Sequence, residues 1–145
     1  MPQLNAYLGF DGNCADAMRF YERVLGARIE MMMTNGQTPM ADKMPPGNEN
    51  RIAHARLIID QQVLMAGDAM VGCHPYEGMK GFNMTLSYPA SAEAKRIFEA
   101  LSEGGKVTMP LEKTFWAESF GMLTDRFGTP WIINGGLVDV QASGK

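Results

Sequence analysis

Two stretches of the chain repeat apolar residues at intervals of three and four positions, which is the pattern of a helix with one buried face. The apolar positions of the first stretch are Ala17, Phe20, Tyr21 and Val24. Those of the second stretch, later in the chain, are Ala94, Ile97, Phe98 and Leu101. The pattern predicts helices over 15–24 and 92–101, and its repetition indicates a duplicated structural unit.

Turn and capping residues flank both predicted helices. Asn13 and Ser91 are predicted to cap the two helix starts, and Gly26 and Gly104 are predicted to end the helices in the left-handed conformation.

Short strand-like runs with partly alternating apolar and polar residues surround each predicted helix, one before it and three after it. These runs are 4–10, 28–33, 51–59 and 63–67 in the first copy, and 82–88, 106–109, 119–124 and 130–134 in the second. Short turns at 60–61 and 125–128 join the last two runs of each copy, so those runs are predicted to form antiparallel hairpins. The chain is therefore predicted to be an α+β protein in which a βαβββ unit occurs twice.

A four-stranded sheet with a single helix leaves one of its faces uncovered. We therefore expect one domain over 1–145, made of two tandem modules at about 1–70 and 80–137 whose bare faces border a shared cleft. The long connections over 34–50 and 68–80 are typical of lids, interface loops or mobile segments.

Charge and hydropathy exclude two classes of partner. The 145 residues include 13 Lys and Arg against 16 Asp and Glu, a net charge of -3, with no basic block for nucleic acid to bind. The apolar runs are far shorter than the roughly 20 residues that cross a bilayer, and no secretory signal is visible. We therefore expect a cytoplasmic protein that binds neither nucleic acid nor a membrane.

The sulfur-containing residues suggest no metal or redox motif. The two cysteines, Cys14 and Cys73, are not spaced as a zinc or redox pair and are expected to be reduced thiols. The 13 methionines are expected to fill the core, with an adaptable apolar surface as the alternative.

Beyond the paired modules, a set of individual positions carries a family resemblance. They are Tyr7-Leu8-Gly9-Phe10, Gly12-Asn13-Cys14, Ala17, Phe20-Tyr21, Phe115-Trp116, Gly121, Asp125, Phe127-Gly128 and Trp131. The chain thus resembles the PhnB-like branch of the vicinal oxygen chelate superfamily, which includes glyoxalase I, extradiol dioxygenases and bleomycin and fosfomycin resistance proteins. The resemblance implies an eight-stranded, incompletely closed barrel around a pocket, with helices outside, usually within a homodimer.

The resemblance also implies where a metal would be held, because metal-using members place His or Glu ligands on the first and last strand of each module. The matching positions here are Asn5, Met65, Asn83 and Ile133. Two amides, a thioether and an alkyl group do not make a divalent metal site, and the neighbouring positions offer no better set. We therefore expect no metal and no cofactor.

His54 and Arg56 are the leading polar candidates for a site. If Asp60-Gln61 is a two-residue turn, Arg56 lies opposite Met65, and His54 shares that face. His54 would then serve as an acid/base or hydrogen-bonding group, and Arg56 would hold a carboxylate or phosphate. The alternative is a structural histidine and an ordinary ion pair.

Trp116 and Glu118 are a second candidate pair. An aromatic ring beside a carboxylate suits a cationic or heteroaromatic ligand, although Trp116 as a core or interface residue is the alternative. Glu118 is also a candidate catalytic group. His74, next to Cys73, is not expected to activate a thiolate, because adjacent side chains rarely point at one another.

These candidates lead to three hypotheses of function. The first is metal-independent binding of a small molecule in an apolar pocket. The second is a metal-independent lyase or isomerase that uses His54 with Arg56 or Glu118. The third is a metal enzyme with displaced ligands such as His54, His74 and Glu118. The pocket is expected to be lined by Tyr7, Val63, Met65, Trp131 and Ile133, with polar groups from Asn5, Asn83, His54 and Arg56.

Overall fold

A computed structural model describes residues 1–138 of the chain. The chain divides into two compact units, Met1–Gly78 and a second that begins at Met79. The first unit contains β1 (Ala6–Phe10), α1 (Cys14–Leu25), β2 (Arg28–Thr34), single 3-10 turns at Asn35–Gln37 and Ala41–Lys43, β3 (Ile52–Ile59) and β4 (Gln62–Asp68). The second contains β5 (Met84–Tyr88), α2 (Ser91–Ser102), β6 (Lys106–Glu112), β7 (Ala117–Thr124) and β8 (Pro130–Leu137).

Each unit has one four-stranded mixed sheet and one long helix. The strand orders are β1-β4-β3-β2 and β5-β8-β7-β6, and in each sheet the first two strands are parallel while the other pairs are antiparallel. The predicted α+β class and the twofold use of βαβββ are confirmed. The eight strands form two separate sheets, and residues 1–138 contain no closed barrel.

Helix α1 covers one face of the first sheet, where the alternate strand residues are buried. The buried strand residues on that face are Leu8, Phe10, Ala55, Leu57, Leu64 and Ala66. Gly26 ends α1 with φ 66°, as predicted, but Asn13 makes no side-chain cap. The side-chain carboxylate that meets the start of this helix comes from a residue distant in sequence, Asp68 at the end of β4.

Asp68 ties three segments of the first unit together. Its Oδ1 accepts hydrogen bonds from the backbone N–H groups of Gly12, at 2.9 Å, and Cys14, at 3.1 Å. Its Oδ2 accepts one from the N–H of Ile52 at 2.8 Å. A carboxylate at the first residue of a helix also suits the helix dipole. The end of β4 therefore holds the start of α1 and the start of β3.

The second unit packs α2 against its sheet more closely. A Cβ on Gly121 would lie 2.7 Å from Cε2 of Phe98, and a Cβ on Gly135 would lie 2.6 Å from Cβ of Ala94. Both glycines are therefore required by the approach of α2 to β7 and β8. Ser91 is the first residue of α2 rather than its cap, and Gly104 adopts φ 76° just after the helix.

Trp131 and Ile133, which are predicted to line a pocket, belong to this core. They pair with Leu123 and Gly121, whose side of the sheet faces α2, and both are buried. The Trp131 Nε1–H donates to Oδ2 of buried Asp125 at 2.8 Å, and Oδ1 of Asp125 accepts from the N–H groups of Phe127 and Thr129. The Asp125 turn is thus also a core hydrogen-bonding centre.

The long connection over 34–50 is held by buried amides. Asn48 is buried and donates through Nδ2 to the carbonyls of Pro45 and Val71, while its Oδ1 accepts from the N–H of Val71. Asn35, also buried, donates to the carbonyl of Asn48 at 3.0 Å. This connection is therefore packed against the next one, 68–80, by specific hydrogen bonds.

The close packing at Gly121 predicts a large difference between two glycine substitutions. Gly121→Ala is expected to lower the free energy of unfolding by about 1–3 kcal/mol, because the added methyl group overpacks the contact with Phe98. Gly9→Ala is the matched control, since a Cβ there meets nothing within 4 Å. Urea unfolding followed by circular dichroism measures both, and equal stability of the two variants would contradict the packing described for α2.

Candidate functional site

The face of the first sheet opposite α1 carries most of the predicted site residues. Arg56 pairs with Met65, as predicted from the turn at 60–61, and Met65 pairs with Tyr7. His54 lies two residues from Arg56 on the same strand and therefore on the same face. We call this surface the open face of the first sheet. Val63 lies on it as well, two residues from Met65.

Tyr7 and His54 form an aromatic stack on the open face. Their ring centroids are 5.7 Å apart and the ring planes are inclined by 22°. The Tyr7 hydroxyl donates to the carbonyl of Ala53 at 3.2 Å, so the ring reaches across β4 towards β3. Tyr7 remains 52% exposed, and His54 is half-buried. The stack is thus held on the sheet yet is still accessible.

Gly67 is what allows Tyr7 to lie in this position. A Cβ on Gly67 would come 2.6 Å from the Tyr7 hydroxyl oxygen and 3.1 Å from the carbonyl oxygen of Ala53. Any larger residue would therefore push the tyrosine side chain off the sheet. Burial raises the pKa of Tyr7, with a further contribution from Cys14, so the hydroxyl stays protonated and acts as a donor at neutral pH.

Arg56 is already engaged by an acidic partner. Its Nε donates to Oε1 of Glu30 at 2.8 Å, and the two side chains are 37% and 40% exposed. An exposed ion pair of this kind contributes little to stability. The remaining guanidinium N–H groups point to no partner that the structure describes, and they remain available to a carboxylate or phosphate.

The positions implied for a metal do not fit one. Asn5 donates its side-chain N–H to the carbonyl of Val63 at 3.1 Å, Asn83 is exposed ahead of β5, and Ile133 is in the core. Among residues 1–138, no group of three His, Cys, Asp or Glu side chains is placed to hold a metal ion. The donor set present is therefore not that of a divalent metal site.

The second sheet has its own open face, opposite α2. Phe120 lies there, because its neighbour Gly121 faces the helix. The Phe120 ring meets Trp116 edge to face at 5.1 Å, and Trp116 meets exposed Phe115 in the same way at 4.7 Å. Glu118, between Trp116 and Phe120 in sequence, lies against Gly136 of β8. Trp116 therefore contacts Phe120, a residue of the face that also carries Glu118.

Asn134 is a buried polar residue of the second sheet that sequence analysis did not include among the site candidates. It pairs with Phe120 on the open face of the second sheet, is 8% exposed, and donates through Nδ2 to Oγ of Ser87 at 3.3 Å. Its Oδ1 is buried and has no hydrogen-bonding partner within residues 1–138. The sequence does carry one signal for this residue, since Asn134 directly follows two isoleucines in an apolar strand. A polar side chain at such a position needs hydrogen-bonding partners, because buried polar groups are normally satisfied.

Neither cysteine adds to the candidate sites. Cys14 and Cys73 are both free, and Cys14 is buried in α1. Burial, together with the Asp68 carboxylate, raises the pKa of Cys14 to about 12. Cys73 and His74 are exposed in the connection between the two units.

No helix within the described residues is long and apolar enough to cross a membrane.

Comparisons with known proteins agree with this architecture. A family model described as the Glyoxalase/Bleomycin resistance protein/Dioxygenase superfamily matches residues 3–133. Protein YjdN from Escherichia coli (strain K12) is 39% identical over 140 residues, which cover 90% of this chain and 93% of YjdN.

Solved structures show the same similarity. The crystal structure of protein PA1353 from Pseudomonas aeruginosa matches with a TM-score of 0.85 and 45% sequence identity, covering 93% of this chain and 98% of that chain. The PhnB protein from Bacillus cereus, described as a putative 3-demethylubiquinone-9 3-methyltransferase, is similar in fold. It matches with a TM-score of 0.77 and 24% identity, and the match covers 92% and 99% of the two chains.

The environments of the two cysteines predict unequal thiol reactivity. At pH 8 a thiol with a pKa of about 12 has a thiolate fraction on the order of one in ten thousand, so native Cys14 is expected to be inert. Titration with Ellman's reagent should therefore detect one rapidly reacting thiol in the folded protein and two in urea. Cys73→Ser should abolish the rapid phase, whereas rapid reaction of both thiols in the native wild type would contradict the buried position of Cys14.

Proposed function

Because the chain belongs to the glyoxalase/bleomycin resistance protein/dioxygenase superfamily, we propose that it binds a small molecule on the open face of its first sheet without a divalent metal. The observation that carries the proposal is the Tyr7–His54 stack, which presents an ordered aromatic surface that α1 does not cover. Small-molecule sites combine such apolar surface with a few positioned polar groups.

The surroundings of the stack suit a planar, largely uncharged ligand. Met65 and Val63 supply half-buried apolar surface beside it, and thioether groups adapt readily to a bound ring. His54 offers a hydrogen bond at the edge of the stack, and Arg56 offers further N–H donors on the same strand. In this proposal Tyr7 and His54 contact the ligand, while Gly67 maintains the position of Tyr7.

The donor chemistry of the chain supports binding without a metal. Asn5 and Met65, the implied ligand positions of the first unit, are a backbone-bonded amide and a thioether. Neither competes well for the zinc, nickel, iron or manganese that oxygen- and nitrogen-rich sites hold. The methyltransferase activity in the description of PhnB is not part of the proposal, because neither mixed sheet resembles the doubly wound parallel sheet in which nucleotide-type cofactors commonly bind.

A homodimer in the cytoplasm completes the proposal. The family resemblance supports dimerisation. The sheet edges support it too, because β2 and β6 each pair with a strand on one side only within residues 1–138. Proteins commonly protect such edges by association. Light scattering of the purified protein should give about twice the 15.9 kDa chain mass. A monomer at all concentrations would remove this part of the proposal.

A thermal-shift screen of uncharged aromatic compounds tests the binding proposal. A true ligand at 100-fold excess over its Kd stabilises the folded state by about 2.7 kcal/mol, which raises Tm by several degrees. Tyr7→Ala should abolish the shift because half of the aromatic stack is lost. Val107→Ala is the matched control, since it removes exposed apolar surface from β6 and should leave the shift unchanged.

Two further outcomes of that screen are informative. The shift should persist in EDTA, and protein purified without chelator should contain no stoichiometric metal by elemental analysis. If no compound stabilises the wild type, or if Tyr7→Ala keeps the full shift, the proposed site is wrong. If a bound compound is converted to product and His54→Ala abolishes that conversion, the protein is an acid/base enzyme rather than a binding protein.

A further inference from the structure

The open face of the second sheet holds hydrogen-bond acceptors beside aromatic rings, and the site on the first sheet makes no use of them. Four residues define this acceptor cluster. They are Trp116, Glu118, Phe120 and Asn134. Glu118 and Phe120 are alternate residues of β7, and Asn134 pairs with Phe120 from β8, so these three side chains project from the same face.

Asn134 supplies the observation that points to a ligand. Its side chain is more than nine-tenths buried, yet Oδ1 meets no donor in the part of the chain that the structure describes. A buried carbonyl oxygen without a donor is destabilising, so native structures retain such groups where something else satisfies them. Ser87, which accepts the Asn134 Nδ2–H, borders a cavity of about 440 Å³ lined also by Tyr88, Pro89 and Leu137. Ser87 therefore links the Asn134 Nδ2 to this cavity, whereas the Asn134 Oδ1 is itself buried.

Glu118 gives the cluster a negative charge. Its carboxylate rests against Gly136, which adopts φ 63° and has no side chain to displace it. Glu112 of β6 pairs with Phe120 from the other side, which brings a second carboxylate to the same face. Neither glutamate forms a salt bridge with a Lys or Arg among residues 1–138. The charge on this face is thus uncompensated by the described chain.

The aromatic rings favour the same kind of ligand. Trp116 is half-buried and meets Phe120 edge to face at 5.1 Å with an interplanar angle of 77°, so the two rings present surfaces in different directions. The faces of aromatic rings carry partial negative charge and attract cations, and tryptophan does so most strongly. Carboxylate, amide oxygen and ring face therefore all select a positively charged N–H donor.

We propose that the acceptor cluster binds a cationic nitrogen ligand, a protonated amine, amidinium or guanidinium attached to an apolar or aromatic body. Glu118 pairs with the charge, Asn134 Oδ1 accepts an N–H, and Trp116 with Phe120 contacts the apolar body. The inference rests on the proposed function, small-molecule binding, and extends it to the second sheet by naming the chemistry of a ligand. The carboxylates of Glu118 and Glu112 disfavour an anionic ligand on this face, because like charges repel.

Three probes of nearly equal shape and different charge test the proposal. Benzamidinium is a flat cation with N–H donors, benzamide is its neutral counterpart and benzoate is the corresponding anion. Titration of the full chain by isothermal calorimetry should give benzamidinium an affinity at least about tenfold higher than benzamide, with no measurable binding of benzoate. Equal affinities for all three probes would overturn the proposal.

Two variants identify where benzamidinium binds. Glu118→Gln keeps the size of the side chain and removes its charge, and Asn134→Leu removes the acceptor; each should weaken benzamidinium binding at least about fivefold. Glu99→Gln is the matched control, because Glu99 is an exposed glutamate of α2 on the opposite side of the sheet. Circular dichroism confirms folding, and if Asn134→Leu fails to fold, Glu118→Gln against Glu99→Gln decides the result. Unchanged affinity in Glu118→Gln would overturn the proposal.

The same experiments separate this inference from the function proposed for the first sheet. Repeating the benzamidinium titration with Tyr7→Ala should leave the affinity unchanged. If an uncharged aromatic compound binds in a Tyr7-dependent manner while benzamidinium does not bind, the inference fails and the proposed function stands. If Tyr7→Ala removes benzamidinium binding and Glu118→Gln does not, the cation belongs to the first sheet and the acceptor cluster is not its site.

Discussion

A single helix can pack against only one face of a four-stranded sheet, so the other face is left without a helix. This constraint determines which face of each unit can carry a site. The covered face requires close packing. Gly121 and Gly135 allow α2 to approach the sheet there, because neither has a side chain. On the uncovered face a glycine serves a different purpose, since Gly67 admits the Tyr7 side chain. The same residue type thus supports the core on one face and a candidate binding surface on the other.

Two aspartates, Asp68 and Asp125, hold the ends of strands and the start of α1 through hydrogen bonds to their carboxylates. Asp68 accepts three backbone hydrogen bonds and joins the starts of α1 and β3 to the end of β4. Asp125 accepts two backbone hydrogen bonds and that of the Trp131 indole within the second core. Charge-assisted hydrogen bonds to carboxylates are among the stronger ones in proteins. The Asp68 bonds fix the starts of α1 and β3 against the end of β4, and the Asp125 bonds fix the turn between β7 and β8.

The duplicated units have diverged in the chemistry of their open faces. The first presents a stacked tyrosine and histidine with apolar neighbours and an arginine that is already paired. The second presents free carboxylates, an amide oxygen without a donor and edge-to-face aromatic rings. Within residues 1–138, neither face gathers three His, Cys, Asp or Glu side chains around one point, and the polar groups present differ between the two faces.

The sequence by itself determined the elements, the duplicated βαβββ order and the shared face of His54, Arg56 and Met65, because helical periodicity, strand alternation and a two-residue turn are local. Alternation divides a strand into two faces but does not say which one a helix covers, so the sequence alone could not place Trp131 and Ile133 on the side of the sheet that faces α2. The Asp68 contacts, the Tyr7–His54 stack and the unsatisfied Asn134 were decided only by the tertiary structure. Each depends on residues far apart in the chain, whose distances no local pattern encodes.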